Sequence, residues 1–134
     1  MKRTTRIPYI YIMGSIFLLQ ACHRKAEPEI VYEPTDVTVD ADEVDIGEIG
    51  PGTKHDVKYK IHNSGKHTLH ISNVLPSCEC TTAKCDKQDA EPGEHVTVTL
   101  TYKAEDFSGF VYRTAEVECN TEEPVILTLT GTIK

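Results

Sequence analysis

The amino-acid sequence predicts an all-β fold, an immunoglobulin-like antiparallel sandwich of about seven strands. Three observations carry this. Apolar and polar residues alternate with period two through most of the chain beyond residue 36. Turn-forming residues separate the alternating segments, and no segment shows a helical period. Period-two alternation is the mark of strands with one buried and one solvated face.

The elements follow in order. "VTVDADEVDIGEIG" supplies one or two short strands through Val39, Val44, Ile46 and Ile49. "HDVKYKIHN" buries Val57, Tyr59 and Ile61 and turns Lys58, Lys60 and His62 outward. Leu69 and Ile71 form the inward set of "HTLHISNV". Val96, Val98, Leu100 and Tyr102 alternate with threonines in "EHVTVTLTY". Ala115, Val117 and Cys119 oppose Glu116 and Glu118, and "PVILTLTGTI" closes with Val125, Leu127, Leu129 and Ile133. Pro51-Gly52, Asn63-Ser64-Gly65, Pro92-Gly93, Ser108-Gly109 and Asn120 to Pro124 supply the turn chemistry between them. The expected core is Val57, Tyr59, Ile61, Leu69, Ile71, Val98, Leu100, Val117, Leu127 and Leu129.

The first residues decide location. Lys2, Arg3 and Arg6 precede an apolar run from Ile7 to Leu19 that is too short for the roughly 20 residues of a spanning helix. A basic start and a short apolar stretch form an export signal. Leu19-Gln20-Ala21-Cys22 then resembles the lipobox of bacterial lipoproteins, with Gln20 looser than the usual small residue. That resemblance implies cleavage before Cys22 and lipidation of its thiol, with more than one acyl chain. The expected organisation is a signal peptide over 1–21, a flexible tether over 22–35 containing Pro28 and Pro34, and the sandwich over 36–134.

A chain of 134 residues has room for one domain with a modest core. Its 39% hydrophobic and 26% charged residues are those of a globular protein, not a disordered one. Formal net charge is −7, and removing the three basic residues of the signal from the 14 present leaves 11 against 21 acidic, or −10. Such a balance argues against nucleic acid or anionic lipid as an electrostatic partner. Membrane attachment then rests on the lipid anchor.

The motif order resembles a bacterial family, the one numbered 1573 among the domains of unknown function. Ile46-Gly47-Glu48-Ile49, the Asn63-Ser64-Gly65 turn, Ser77-Cys78-Glu79-Cys80-Thr81, Pro92-Gly93 and Leu129-Thr130-Gly131 carry it over about residues 44 to 134. Glu79 departs from the glycine usual in that family. The resemblance implies an immunoglobulin-like fold of the major-sperm-protein type and carries no established activity.

Excluding Cys22, the cysteines are Cys78, Cys80, Cys85 and Cys119. Exported proteins commonly use cysteines in disulfides, and four allow three complete pairings. If the strands ending at Cys78 and Cys119 are antiparallel neighbours, Cys119 lies near Leu69, roughly 30 Å from Cys78. That is far beyond the approximately 7 Å limit for bridged Cα atoms. Cys119 is therefore expected as a buried thiol. On an extended strand Cys78 and Cys80 make an awkward pair, so Cys85 is the expected partner of one of them. Inert thiols and a soft-metal or redox site of Cys78, Cys80 and Cys85 are the alternatives, since closely spaced thiolates suit copper(I) or zinc.

His62 and His70 fall on outward positions and His67 at a strand edge, where solvation accounts for them; His55 and His95 lie elsewhere. The sequence has no Gly-x-Ser-x-Gly elbow, phosphate-binding glycine loop or His-Glu-x-x-His. Asp42-Glu43, Glu105-Asp106 and Glu122-Glu123 lie in or near turns and form no persuasive dyad. The expected protein is a non-enzymatic, cofactor-free binding or structural module. It is lipid-anchored, facing the periplasm from the outer membrane since no aspartate follows Cys22, and it docks a protein partner. The alternative is a thiol-dependent metal-binding or redox protein.

Overall fold

Alternating side chains need two sheets to bury one face of each, and the computed structural model, which describes residues 28–134, has them. Among the described residues there are nine strands: β1 (Val37–Val39), β2 (Glu43–Ile49), β3 (Lys54–Asn63), β4 (Leu69–Pro76), β5 (Thr81–Cys85), β6 (Asp89–Ala90), β7 (His95–Lys103), β8 (Gly109–Cys119) and β9 (Val125–Ile133). One sheet has the order β1-β3-β7-β5 and the other β2-β9-β8-β4-β6. The signal segment and Cys22 lie outside the described residues.

All ten side chains of the expected core are buried, from Val57 at 6% exposure to Leu129 at 0%. Each contributes on the order of 1.5–3 kcal/mol by leaving water. Tyr59 buries its ring as well, because its hydroxyl donates to the Thr128 carbonyl at 2.7 Å across the sandwich. A buried tyrosine needs such a partner.

Two features depart from the expectation. β5 and β6 are additional strands, hidden in the sequence because Thr-Thr-Ala-Lys-Cys and Asp-Ala carry no run of large alternating apolar residues. β2 joins β9 in parallel, with Val44 opposite Leu129 and Ile49 opposite Ile133, whereas every other pairing is antiparallel. The two sheets are linked by a strand switch between β1 and β2.

Two motif glycines are explained by this packing. A Cβ on Gly65 would lie 2.0 Å from Thr35 Oγ1 and 2.5 Å from the Asp36 backbone nitrogen. One on Gly131 would meet Ile46 at 2.8 Å and the Gly47 carbonyl at 3.1 Å, where the register of β2 beside β9 shifts. Both contacts are far inside van der Waals distance, so only glycine lets the backbones approach.

The strands define two poles. The ends Asn63, Leu69, His95, Cys119 and Val125 gather at one pole, where the chain enters from Tyr32. The ends Lys54, Pro76, Thr81, Lys103, Gly109 and Ile133 gather at the other.

Candidate functional site

β8 places Arg113 two residues before Ala115, on the inward face, where alternation calls for an apolar side chain. It survives there because it lies at the far pole and all its nitrogens point at acceptors. Nη2 donates to Glu105 Oε1 at 2.7 Å, Nη1 to the Tyr112 carbonyl at 2.9 Å, and Nε to Cys80 Sγ at 3.3 Å. Cζ lies 6.0 Å from the centre of the buried Tyr102 ring. Tyr102 comes from β7, so Arg113 bridges the two sheets.

Glu105 closes the group. Its Oε2 accepts from the Tyr102 hydroxyl at 2.7 Å. That bond, followed by the hydrogen bond and charge of Arg113, holds the carboxyl below the usual carboxylate range. Burial pushes Tyr102 up to about 12, and its hydrogen bond to Glu105 and the nearby carboxylate charge add to the effect.

Cys78 and Cys80 are bridged to one another, with Cα atoms 5.3 Å apart. This corrects the expected pairing with Cys85. The two cysteines occupy a turn between β4 and β5, not an extended strand, and the turn brings their Cα atoms to bridging distance. Cys85 sits at the opposite end of β5, five residues beyond Cys80 and opposite Val98, roughly 15 Å along the strand. It is a free, half-buried thiol, pushed up by burial and by the charge of Asp86. Cys119 is also free, opposite Ile71 at the other pole, with its sulfur 3.2 Å from Thr121 Oγ1. Its place follows the antiparallel pairing of β4 and β8, and it is half-buried rather than fully enclosed.

The turn is fastened to β8. Ser77 N donates to the Thr114 carbonyl at 2.8 Å, and Thr114 N donates back to Ser77 Oγ at 3.1 Å. Pairing of β4 with β8 begins at Pro76 opposite Ala115, so β8 from Gly109 to Arg113 has β9 as its strand neighbour and, among the described residues, no strand on its second edge. Phe110 and Tyr112 project outward from that segment at 70% and 55% exposure, and Phe107 precedes it at 52%. Phe110 and Tyr112 share one face.

The chain-entry pole is built from amides. Asn63 is 1% exposed; its Nδ2 donates to the carbonyls of His67 and Ala90, and its Oδ1 accepts from Thr35 Oγ1 and Gly65 N. Asn120 donates to the carbonyls of Glu33 and Thr68 and accepts from His70 N at 2.6 Å. Residues Tyr32 to Thr35, expected within the tether, thus lie against the domain. Tyr32 stacks on His70 at 4.0 Å, and Glu33 meets His67 at 2.8 Å. A polar open groove of about 420 Å³ runs beside Thr35, Gly65, His67 and Glu122. His62 and His70 face outward as expected, each near an aspartate, Asp40 and Asp89.

Among the described residues no three His, Cys, Asp or Glu side chains gather as a metal site. Sequence reasoning passed over Arg113, although the same alternation that made Ala115 and Val117 inward assigns it inward too. It also passed over Phe107, Phe110 and Tyr112.

Solved structures share the fold. A protein of unknown function from Porphyromonas gingivalis W83 superposes with a TM-score of 0.65 at 13% identity, covering 78% of this chain and 50% of that one. This chain therefore spans about half the length of that relative. The ASH/PapD-like domain 7 of human CEP192 matches with a TM-score of 0.56 at 15% identity, over 81% of this chain and 92% of that domain. The Vibrio cholerae VesB protease matches with a TM-score of 0.58 at 13% identity, over 73% of this chain and 31% of that one. No curated protein is similar enough to count as a match. Residues 37–133 match the family described as "Protein of unknown function (DUF1573)".

Proposed function

This chain belongs to the DUF1573 family, and we propose that it is a lipid-anchored envelope protein whose sandwich is a non-catalytic binding module. One observation carries the reading: the chain enters at one pole, and exposed Phe107, Phe110 and Tyr112 gather near the other. A domain tethered at one end, with exposed aromatic side chains at the other, presents that aromatic surface away from the anchor. Large exposed aromatic side chains are common anchors of protein interfaces. The edge of β8 beside them has no strand partner from Gly109 to Arg113, which suits strand addition.

Lipidation at Cys22 supplies the tether in this reading. Nine residues lie between Cys22 and Tyr32, so the ten steps from one to the other reach at most about 35 Å when extended. The surface faces the periplasm from the outer membrane, and the partner is a protein. An immunoglobulin-like sandwich of the major-sperm-protein type suits this role, since it presents strand edges and end loops.

The test combines two measurements. Mass spectrometry of the mature N-terminus is expected to find acylated Cys22; an unmodified residue at the new terminus refutes the anchor. Cross-linking in cells is expected to trap a partner with the native protein and to lose it with a Phe110→Ser, Tyr112→Ser double variant. An undiminished adduct refutes the docking surface.

A further inference from the structure

We infer that the Cys78–Cys80 bridge is a reactive disulfide, exchanging with a dithiol and leaving Cys80 as a thiolate held by Arg113. Three observations support this beyond the binding role. The bridge spans a single intervening residue, so it closes too short a loop to constrain the unfolded chain strongly. Both cysteines are partly buried in a turn; Cys80 packs against the core and Cys78 does not, which leaves Cys78 the more open to an incoming thiol. A guanidinium nitrogen points at one sulfur and not the other: Arg113 Nε lies 3.3 Å from Cys80 Sγ, fixed by Glu105 and the Tyr112 carbonyl.

The charges around the bridge set the direction of attack. Glu79, exposed between the cysteines, disfavours a thiolate on either. Arg113 offsets that at Cys80, while Glu105 is already paired with Arg113 and hydrogen-bonded by Tyr102. Thr81 Oγ1 lies 3.6 Å from Cys78 Sγ and 3.8 Å from Cys80 Sγ, so it favours neither. Cys80 is therefore the better leaving group and Cys78 the sulfur attacked, since a leaving thiol of lower pKa departs faster.

The exchange balances with a dithiol as the reductant. Its first thiolate bonds to Cys78 Sγ as the Cys78–Cys80 bond breaks, and the electron pair passes to Cys80 Sγ. Its second thiol, on losing its proton, attacks the mixed disulfide. The partner leaves as a disulfide, and Cys78 departs as a thiolate that takes up a proton. Two electrons have moved from the dithiol to the cysteine pair.

The experiment uses folded native protein, dithiothreitol as the dithiol, and alkylation followed by peptide mass spectrometry to read each cysteine separately. Reduction of the bridge is expected without unfolding. Arg113→Met is expected to slow it about tenfold, and Arg113→Lys to restore part of the rate. A Cys78→Ser variant leaves Cys80 as a single thiol at this pole. Its alkylation is expected to begin at lower pH than the ordinary thiol near pKa 8.5, and to shift upward when Arg113→Met is added. A bridge that yields only after denaturation overturns the proposal. So does equal reduction by native and Arg113→Met proteins of matching circular dichroism, or a Cys80 titration indifferent to Arg113.

Discussion

The two poles of the sandwich bury polar groups by different chemistry. At the chain-entry pole Asn63 and Asn120 satisfy their amides with backbone carbonyls and amides. Neither group titrates, and each holds several segments in one geometry. At the far pole Arg113, Glu105, Tyr102 and a disulfide share the task. Glu105 and Tyr102 change with pH, and the disulfide changes with redox poise. One pole fixes the structure, whereas the other is able to respond.

The predictions probe that contrast in order of expected effect. Leu100→Ala, in the core between the poles, sets the scale: about 2–5 kcal/mol lost in denaturant unfolding, as for other buried leucines. Asn63→Ala is expected to cost about 2–4 kcal/mol, because the buried Ala90 carbonyl and Thr35 hydroxyl lose their partner. Replacing both bridged cysteines with alanine is expected to cost no more than about 2 kcal/mol in the same assay, by the loop-length relation. A larger loss there than at Asn63 reverses the contrast.

Titration separates the poles further. Tyr102 is raised from 10.0 to about 12 in the folded protein, so its contribution is complete below pH 10 and is lost as pH rises toward 12. Tyr59 behaves alike from mid-sandwich. Tyr102→Phe is expected to flatten stability across that window, measured by urea unfolding at stepped pH. Glu105 has the opposite sign. Its carboxyl is lowered, so its contribution is present above the ordinary carboxylate range and fades as pH falls through the depressed value. The smallest effect is expected from Glu33→Gln, which removes an exposed pair with His67: at most about 1 kcal/mol, vanishing in high salt.

Much of the fold was legible because alternation reports burial directly. Val57, Tyr59 and Ile61 read as inward, and they are. Alternation does not report partners, which is why the parallel neighbour of β2 was invisible and β5 escaped notice. The cysteines show the same limit. Cys119 was placed by strand order, which the antiparallel pairing of β4 with β8 supports. The partner of Cys78 depended on whether residues 77–80 turn or extend, and Ser-Cys-Glu-Cys contains no glycine or proline to announce the turn. Arg113 was legible by parity alone, but its value lies in contacts with Glu105, across the loop before β8, and with Cys80 on a distant turn.

The parallel pairing of β2 with β9 has a consequence for the order of assembly. β9 is the last strand described, yet it lies inside its sheet, between β2 and β8. A nascent chain that has released only β1 to β8 cannot complete this sheet, and Val44 and Ile46 must wait without their cover. Such late, non-local closure slows folding and prolongs exposure of unpaired edges. A protein built this way acquires its shape only after β9 has emerged.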